Sequence, residues 1–295
     1  MHRTRLRRMS LVLTVVVVII GPLTVTGAQQ HSQLESYHTP NLPSATVRAA
    51  EENHVWGEGR FFGGGGCTLS AGLSMRAGEG AEAQFTLFTM DTSVEGAAEE
   101  KIEFSGTLLG LNYKWLSHQD ERMAAAVISG IEYPIERLKA ERAETGDSAR
   151  TDRLIPVFAV PLEWHDNDDT TWRIVPRYIG HEDRLWSYQP DGTQEGRVDG
   201  LGQSISVGVG VVHEQPDYSL MADLQLPITG HNSMSTETNE PTRVLTWSGG
   251  GSWHGVNSAL RVDIFATNAF GPTAASSLVA NPDGAGFGLR VSGEF

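Results

Sequence analysis

The chain has 295 residues but only one cysteine, Cys67, and three lysines, Lys101, Lys114 and Lys139. A single thiol excludes an intrachain disulfide and a metal centre of paired cysteines. Cys67 also lies far beyond the N-terminal apolar run, so it is not a lipid-carrying anchor residue. Basic residues are in the minority, 22 against 36 acidic, and the net charge is −14. A nucleic-acid partner, which needs a basic face, is therefore not expected. Beyond the N-terminal region no apolar stretch reaches the roughly 20 residues of a helical membrane span. If the chain crosses a membrane it must do so as a closed sheet, because only helices and closed barrels satisfy every backbone polar group in lipid.

Three features stand out among what is present. Arg3, Arg5, Arg7 and Arg8 precede an apolar run, Leu11–Ile20, which ends in Thr24-Val25-Thr26-Gly27-Ala28. That order predicts a secretory signal peptide over 1–28. An uncleaved anchor helix is the alternative, for which the run is short. Losing the four arginines takes the net charge from −14 to about −18. Residues 29–53 are polar and carry Pro40 and Pro43. Glycine is abundant, 33 in all, which suits a chain of turns and closely packed strands.

From His54 onward, short runs alternate between apolar and polar residues. Twelve such runs lie roughly at 54–62, 66–76, 81–90, 102–115, 122–135, 153–164, 171–180, 201–213, 217–228, 242–254, 257–267 and 285–295. Alternation at period 2 places the two sets on opposite faces of a strand. Tyr218, Leu220, Leu224, Leu226 and Ile228 oppose Ser219, Asp223 and Gln225. Leu260, Val262 and Ile264 oppose Arg261 and Asp263, while Trp172, Ile174 and Tyr178 oppose Arg173 and Arg177. The run 102–115 is ambiguous: Leu109, Leu111 and Tyr113 give one phase and Ile102 and Phe104 the other, so a bulge is expected there.

The final run points to the class, with an edge strand of a soluble sheet as the alternative. Phe287, Leu289, Val291 and Phe295 share one parity, and Arg290, Ser292 and Glu294 the other. This resembles the closing strand of bacterial outer-membrane β-barrels, which typically ends on Phe and is read by the barrel-assembly machinery. The connections agree with the resemblance. Every second one, at 77–80, 116–121, 165–170, 214–216 and 255–256, is short, and the others are long except 63–65. Outer-membrane barrels have short periplasmic turns, long outside loops and an even strand number. The expected fold is thus all-β, an antiparallel up-and-down transmembrane β-barrel of about 12 strands over 54–295. Residues 29–53 are expected to be a polar periplasmic leader, with both termini periplasmic. Tyr113, Trp115, Tyr133, Trp164, Trp172, Tyr178, Trp247 and Trp253 near strand ends fit interfacial aromatic girdles.

The inward parity collects Glu58, Arg60, Arg173, Arg177, Asp223, Arg261, Asp263, Arg290 and Glu294. These are the candidate lumen-lining residues. In a wide pore they would select ions; in a narrow lumen they would pair and hold the barrel's shape, since a buried unpaired charge is costly. The inward glycines of 201–213 leave room. The closing strand is expected to pair with 54–62, bringing Arg290 and Glu294 near Glu58 and Arg60.

Two motifs raise an enzyme. One is His231-Asn232-Ser233; the other, His254-Gly255-Val256-Asn257-Ser258, distantly resembles the His and Ser-Asn pairing of the outer-membrane phospholipase, but not in that family's order. A nucleophilic serine needs a base within hydrogen-bond reach and a third group to orient it, so polar turns are the expectation. Asp166-Asn167-Asp168-Asp169 lacks the spacing and glycine of a hand-type calcium loop, and Gly63–Gly66 lacks the ending of a phosphate loop. No cofactor or metal is called for. Asn41-Leu42-Pro43-Ser44-Ala45 and Thr267-Asn268-Ala269-Phe270-Gly271 resemble, weakly, uncharacterised cyanobacterial or exopolysaccharide-associated barrel families, which implies an envelope role. The expected function is passage of small solutes by a channel or transporter, with 136–152, 181–200 and 268–284 as filter or lid. A non-conducting envelope-assembly barrel is the alternative, and a barrel lipase a remoter one. Expected partners are outer-membrane lipid and lipopolysaccharide, the barrel-assembly machinery and small solutes.

Overall fold

The structure is a computed structural model that describes residues 39–46, 53–63, 66–95, 101–120, 122–142, 145–151, 153–167, 169–235, 240–254, 260–281 and 284–294. The signal peptide, Phe295 and the turn 255–259 lie outside the described residues. Every regular element is a strand: β1 (His54–Phe62), β2 (Gly66–Gly78), β3 (Ala81–Glu95), β4 (Lys101–Gln119), β5 (Met123–Arg142), β6 (Ser148–Thr151), β7 (Ile155–Ala159), β8 (Leu162–Asn167), β9 (Thr170–Gly180), β10 (Arg184–Tyr188), β11 (Gln194–Asp199), β12 (Gln203–Glu214), β13 (Tyr218–Pro227), β14 (Ser233–Met234), β15 (Pro241–Thr242), β16 (Thr246–His254), β17 (Leu260–Thr267) and β18 (Gly286–Glu294).

These strands form a closed antiparallel barrel with twelve wall positions. The order around the wall is β1, β2, β3, β4, β5, then β7 and β8 end to end, then β9, β12, β13, β16, β17 and β18, which pairs back onto β1. The expected single strand over 153–164 is broken between β7 and β8. Pro161 has no N–H to give the ladder. The register nevertheless carries through: Ala159 faces Ile128 and Leu162 faces Ala125. Beyond the wall, β5 continues into a small sheet through β6, β10 and β11, which stands over the long-loop end.

The seam follows the parity of the last strand. Glu58 sits opposite Arg290 and Phe61 opposite Phe287 in the β1–β18 register. Phe287 and Leu289 face outward and Arg290 is buried. Both Arg60 Nε, at 2.6 Å, and Arg290 Nε, at 2.7 Å, donate to the Glu58 carboxylate. The same inside-outside division runs round the wall. Ile131, Phe158, Ile205, Leu224 and Ile264 are exposed on the outer face, an apolar surface too continuous for a water-soluble monomer. Near the strand ends, Trp164 and Trp172 stack across β8 and β9 with centroids 6.4 Å apart, and Tyr113 and Trp115 pack at 5.6 Å.

The phase of β4 differs from expectation. Register shifts do occur opposite β5, between Ser105 and Leu108. They do not move Ile102 and Phe104 to the outside: Ile102, Leu108 and Gly110 are all buried and share the inward parity. Both faces of β4 are apolar there because the lumen itself is apolar at that height.

Glu58 is the carboxylate that ties Arg60 to Arg290 across the closure. Glu58→Ala is expected to lower stability by about 3–5 kcal/mol, the cost of leaving buried cations unpaired. The check is the urea midpoint of the folded, heat-modifiable gel band; an unchanged midpoint would mean the seam does not depend on this contact.

Candidate functional site

The lumen holds two segments that are not part of the wall. The first is Thr39–Thr46, a strap that crosses the interior from mid-height toward the short-turn end. Thr39, Asn41, Leu42, Ser44, Ala45 and Thr46 are all buried. These residues, part of the stretch expected as a periplasmic leader, thus lie among the wall's inward side chains. The reason lies in their chemistry. Thr39-Pro40-Asn41-Leu42-Pro43-Ser44-Ala45-Thr46 carries no charge, and its two prolines have no N–H. The strap thus offers more backbone acceptors than donors, and the wall supplies the missing donors.

Arg60 and Arg290 reach the Pro40 carbonyl at 3.1 and 3.3 Å, Arg177 the Asn41 carbonyl at 3.2 Å, and Arg173 the Leu42 carbonyl at 3.3 Å. Lys114 Nζ donates to the Thr46 carbonyl at 2.6 Å and pairs with Glu82 at 2.9 Å. Two wall acids take the strap's donors. Asp223 accepts from the Asn41 backbone N–H at 3.3 Å and from its side-chain Nδ2 at 3.1 Å. Glu163 accepts from Ser44 Oγ at 3.1 Å and the Thr46 N–H at 3.2 Å, and also binds Arg173 Nε at 2.5 Å. Leu42 lies over the inward glycines of β12: a Cβ at Gly208 would stand 2.3 Å from Leu42 Cδ2. The room those glycines leave is filled by the strap.

The second segment is the connection between β17 and β18, which folds inward over Asn268–Asn281. It too is uncharged. Its backbone is tied down by the wall: Thr68 Oγ1 donates to the Phe270 carbonyl at 2.6 Å, and the Ala275 N–H and Thr273 Oγ1 both donate to Glu132 at 2.8 Å. Arg177 joins the two segments, donating to Ser277 Oγ at 2.6 Å as well as to Asn41. Gln225 donates to the Ser277 carbonyl at 3.1 Å. Between strap and loop lies a cavity of only about 100 Å³, lined by Asn41, Asn112, Lys114, Arg177 and Pro272 among others. That is space for a few waters at about 30 Å³ each.

Above the loop the character changes. A cavity of about 560 Å³ opens at the long-loop end, walled by Phe88, Phe104, Leu138, Leu185 and Val198 and floored by Phe270. Phe270 is fixed edge-on to Phe62 at 5.5 Å and tilted against Phe104 at 5.9 Å. The volume lies inside the roughly 300–1,000 Å³ range of small-molecule sites.

Of the nine charges singled out from the sequence, Glu58, Arg60, Arg173, Arg177, Asp223 and Arg290 converge on the strap. Arg261 and Asp263 pair with each other at 2.8 Å, with Arg290 3.9 Å from Asp263. Glu294 sits opposite His54 at the short-turn end and does not reach the strap residues through any described bond. Sequence reasoning missed Glu82, Lys114, Glu132 and Glu163. All four lie on the inward parity of their strands, so carrying the parity count through every run finds them. His231 and Ser233 do not pair: the Ser233 hydroxyl donates to the Ala280 carbonyl at 2.9 Å, and Asn232 Nδ2 to the Leu278 carbonyl at 2.9 Å. This motif anchors the inward loop.

No family model matches the chain, and no curated protein matches it in sequence. Its fold is found among solved structures. The NanC porin is 12% identical, with a TM-score of 0.50 over 82% of this chain and 100% of that one. The translocator domain of the autotransporter NalP from Neisseria meningitidis is 12% identical, with a TM-score of 0.53 over 84% of this chain and 89% of that one. At that identity the likeness is one of fold: the chain has the architecture of outer-membrane barrels.

The strap contacts carry a direct expectation. The Asn41 and Thr46 amides, bonded to Asp223 and Glu163, should exchange slowly with solvent deuterium in the folded barrel. Asp223→Ala should speed exchange at Asn41 about tenfold, the effect of losing roughly 1.4 kcal/mol of protection. Mass-spectrometric hydrogen exchange reads this; fast exchange in the unaltered protein would place the strap outside.

Proposed function

We propose that the chain is an outer-membrane channel for small solutes whose lumen is held closed by its own strap and inward loop. The observation that carries the reading is the kind of bond that holds these segments. Hydrogen bonds from wall side chains to backbone carbonyls hold them, beside apolar contacts at Leu42, Ala45, Phe270 and Leu278. Each such bond, donated by a charged group, exchanges for water at a net cost of about 1.5–3 kcal/mol. The wall residues that would line the passage once the segments move are Glu58, Arg60, Arg173, Arg177, Asp223 and Arg290, with Arg261, Asp263 and Glu294 toward the short-turn end. Paired with water and with each other, they keep partners in the opened state.

In this reading the short turns and both termini lie in the periplasm, where a secreted chain is assembled. The long loops face outward, toward lipopolysaccharide, and the apolar outer wall meets lipid. The closing strand β18 is the element offered to the barrel-assembly machinery. Solved structures of like fold include both a porin and a translocator domain, so the choice of function rests on the lumen. The second reading, a non-conducting envelope-assembly barrel, draws on the same closed lumen.

Planar-bilayer recording separates the two. The full barrel is expected to show low conductance with brief openings, and a variant lacking 29–46 a conductance several-fold higher and stable in time. If both remain sealed, the channel reading fails and the structural one stands.

A further inference from the structure

The apolar cavity at the long-loop end is completed by a segment that is not part of the wall. Met90, Phe104 and Leu138 line it from the wall strands, and Leu185 lines it from the β10–β11 hairpin. Phe270 and Val279 line it as well, and both belong to the inward loop Asn268–Asn281. That loop is fitted closely to the wall. Phe270 and Val279 join Phe62, Ile102 and Phe104 in one apolar cluster, and a Cβ at Gly271 would stand 2.3 Å from Phe88 Cε2. The site is therefore whole only while the loop is folded inward. Once the loop leaves, a molecule in the cavity loses the contacts of Phe270 and Val279. A ligand that binds one of two states more tightly favours that state by the difference. The chemistry of the lining sets the class of molecule. A charged group seated on hydrocarbon loses its hydration without a partner. The lining also carries five acidic residues against two basic ones, which repels an anion.

We propose that this cavity is a regulatory site for a small, neutral, largely hydrocarbon molecule, which packs on Phe104, Phe270 and Val279 and so holds the inward loop in its closed position. The molecule that binds here is an inhibitor of passage and not the solute that passes. Its effect on passage rests on the channel reading; its binding and its effect on the loop do not. A ligand at ten times its dissociation constant, with no affinity for the state in which the loop has left, raises the weight of the closed state about elevenfold.

Hydrogen exchange of the full barrel in lipid nanodiscs tests this, with butylbenzene as the neutral probe and 4-butylbenzoate and 4-butylbenzylamine as charged probes of the same body. Equilibrium dialysis against empty nanodiscs first gives the dissociation constant of butylbenzene, with one site per barrel expected. At ten times that constant, butylbenzene should slow deuterium exchange over 268–281 about tenfold. The charged probes at the same concentration should leave exchange unchanged. Leu185→Trp fills the cavity from the hairpin, and Leu185→Asp places a charge in it. Each should abolish both binding and slowing, with the heat-modifiable gel band reporting that the variant is folded. In planar bilayers, butylbenzene should cut the open time of the full barrel about tenfold and leave that of Leu185→Trp unchanged. No binding above empty discs, binding without slowing, slowing that survives both Leu185 variants, equal or tighter binding of a charged probe, or longer openings would each overturn the assignment. The two proposals fail separately. Slowed exchange with no conductance in any variant overturns only the channel reading, and conductance without probe binding overturns only this one.

Discussion

Charge enclosed by a sheet that lipid surrounds must find a partner inside the sheet. That constraint organises this molecule. Closing twelve wall positions turns the polar parity of every strand toward one narrow space, and the chain places arginines there in quantity. A guanidinium stripped of water there must recover its hydrogen bonds from protein groups. Glu58 satisfies part of Arg60 and Arg290, and Glu163 part of Arg173. The rest of their donors turn to backbone carbonyls of two uncharged segments that enter the space from opposite ends.

The matching is one of donors to acceptors. A segment with two prolines and no strand partner has carbonyls to spare, and a wall rich in arginine has N–H groups to spare. Arg177 shows the consequence, since it binds Asn41 of the strap and Ser277 of the loop together. The lower lumen is therefore polar and filled, while the space above the loop, walled by Phe88, Phe104, Leu138 and Leu185, is apolar and open. This change of chemistry along the axis gives the barrel a mouth that suits apolar matter and a throat that suits water and charge.

Much of the architecture was legible because strand parity is a strict code. The β1–β18 seam, the outward Phe287 and Leu289, and the inward Arg173, Arg177 and Asp223 all follow from period-2 alternation with one face in lipid. The strap was not legible in that way, because parity says nothing about a segment with no strand partner. Its signal was the absence of charge across Thr39–Thr46 and again across Asn268–Asn281, in a chain where 20% of residues are charged. The ambiguity at Ile102 and Phe104 had a cause that periodicity alone does not contain: apolar residues on both faces of a strand can mark a cavity as well as a bulge. The paired glycines of β12 signalled space correctly, but not that Leu42 would occupy it.

The account stands on the strap lying within the wall. Cysteines placed at Leu42 and Gly208, with Cys67 changed to serine, test this directly. The Leu42 side chain meets the position a Gly208 Cβ would take. Mild oxidation of the folded double variant should therefore form one intramolecular disulfide, seen as a shift in mobility that reductant reverses. A folded barrel that forms no cross-link, with the cysteine at 42 freely labelled by a water-soluble maleimide, would contradict the account.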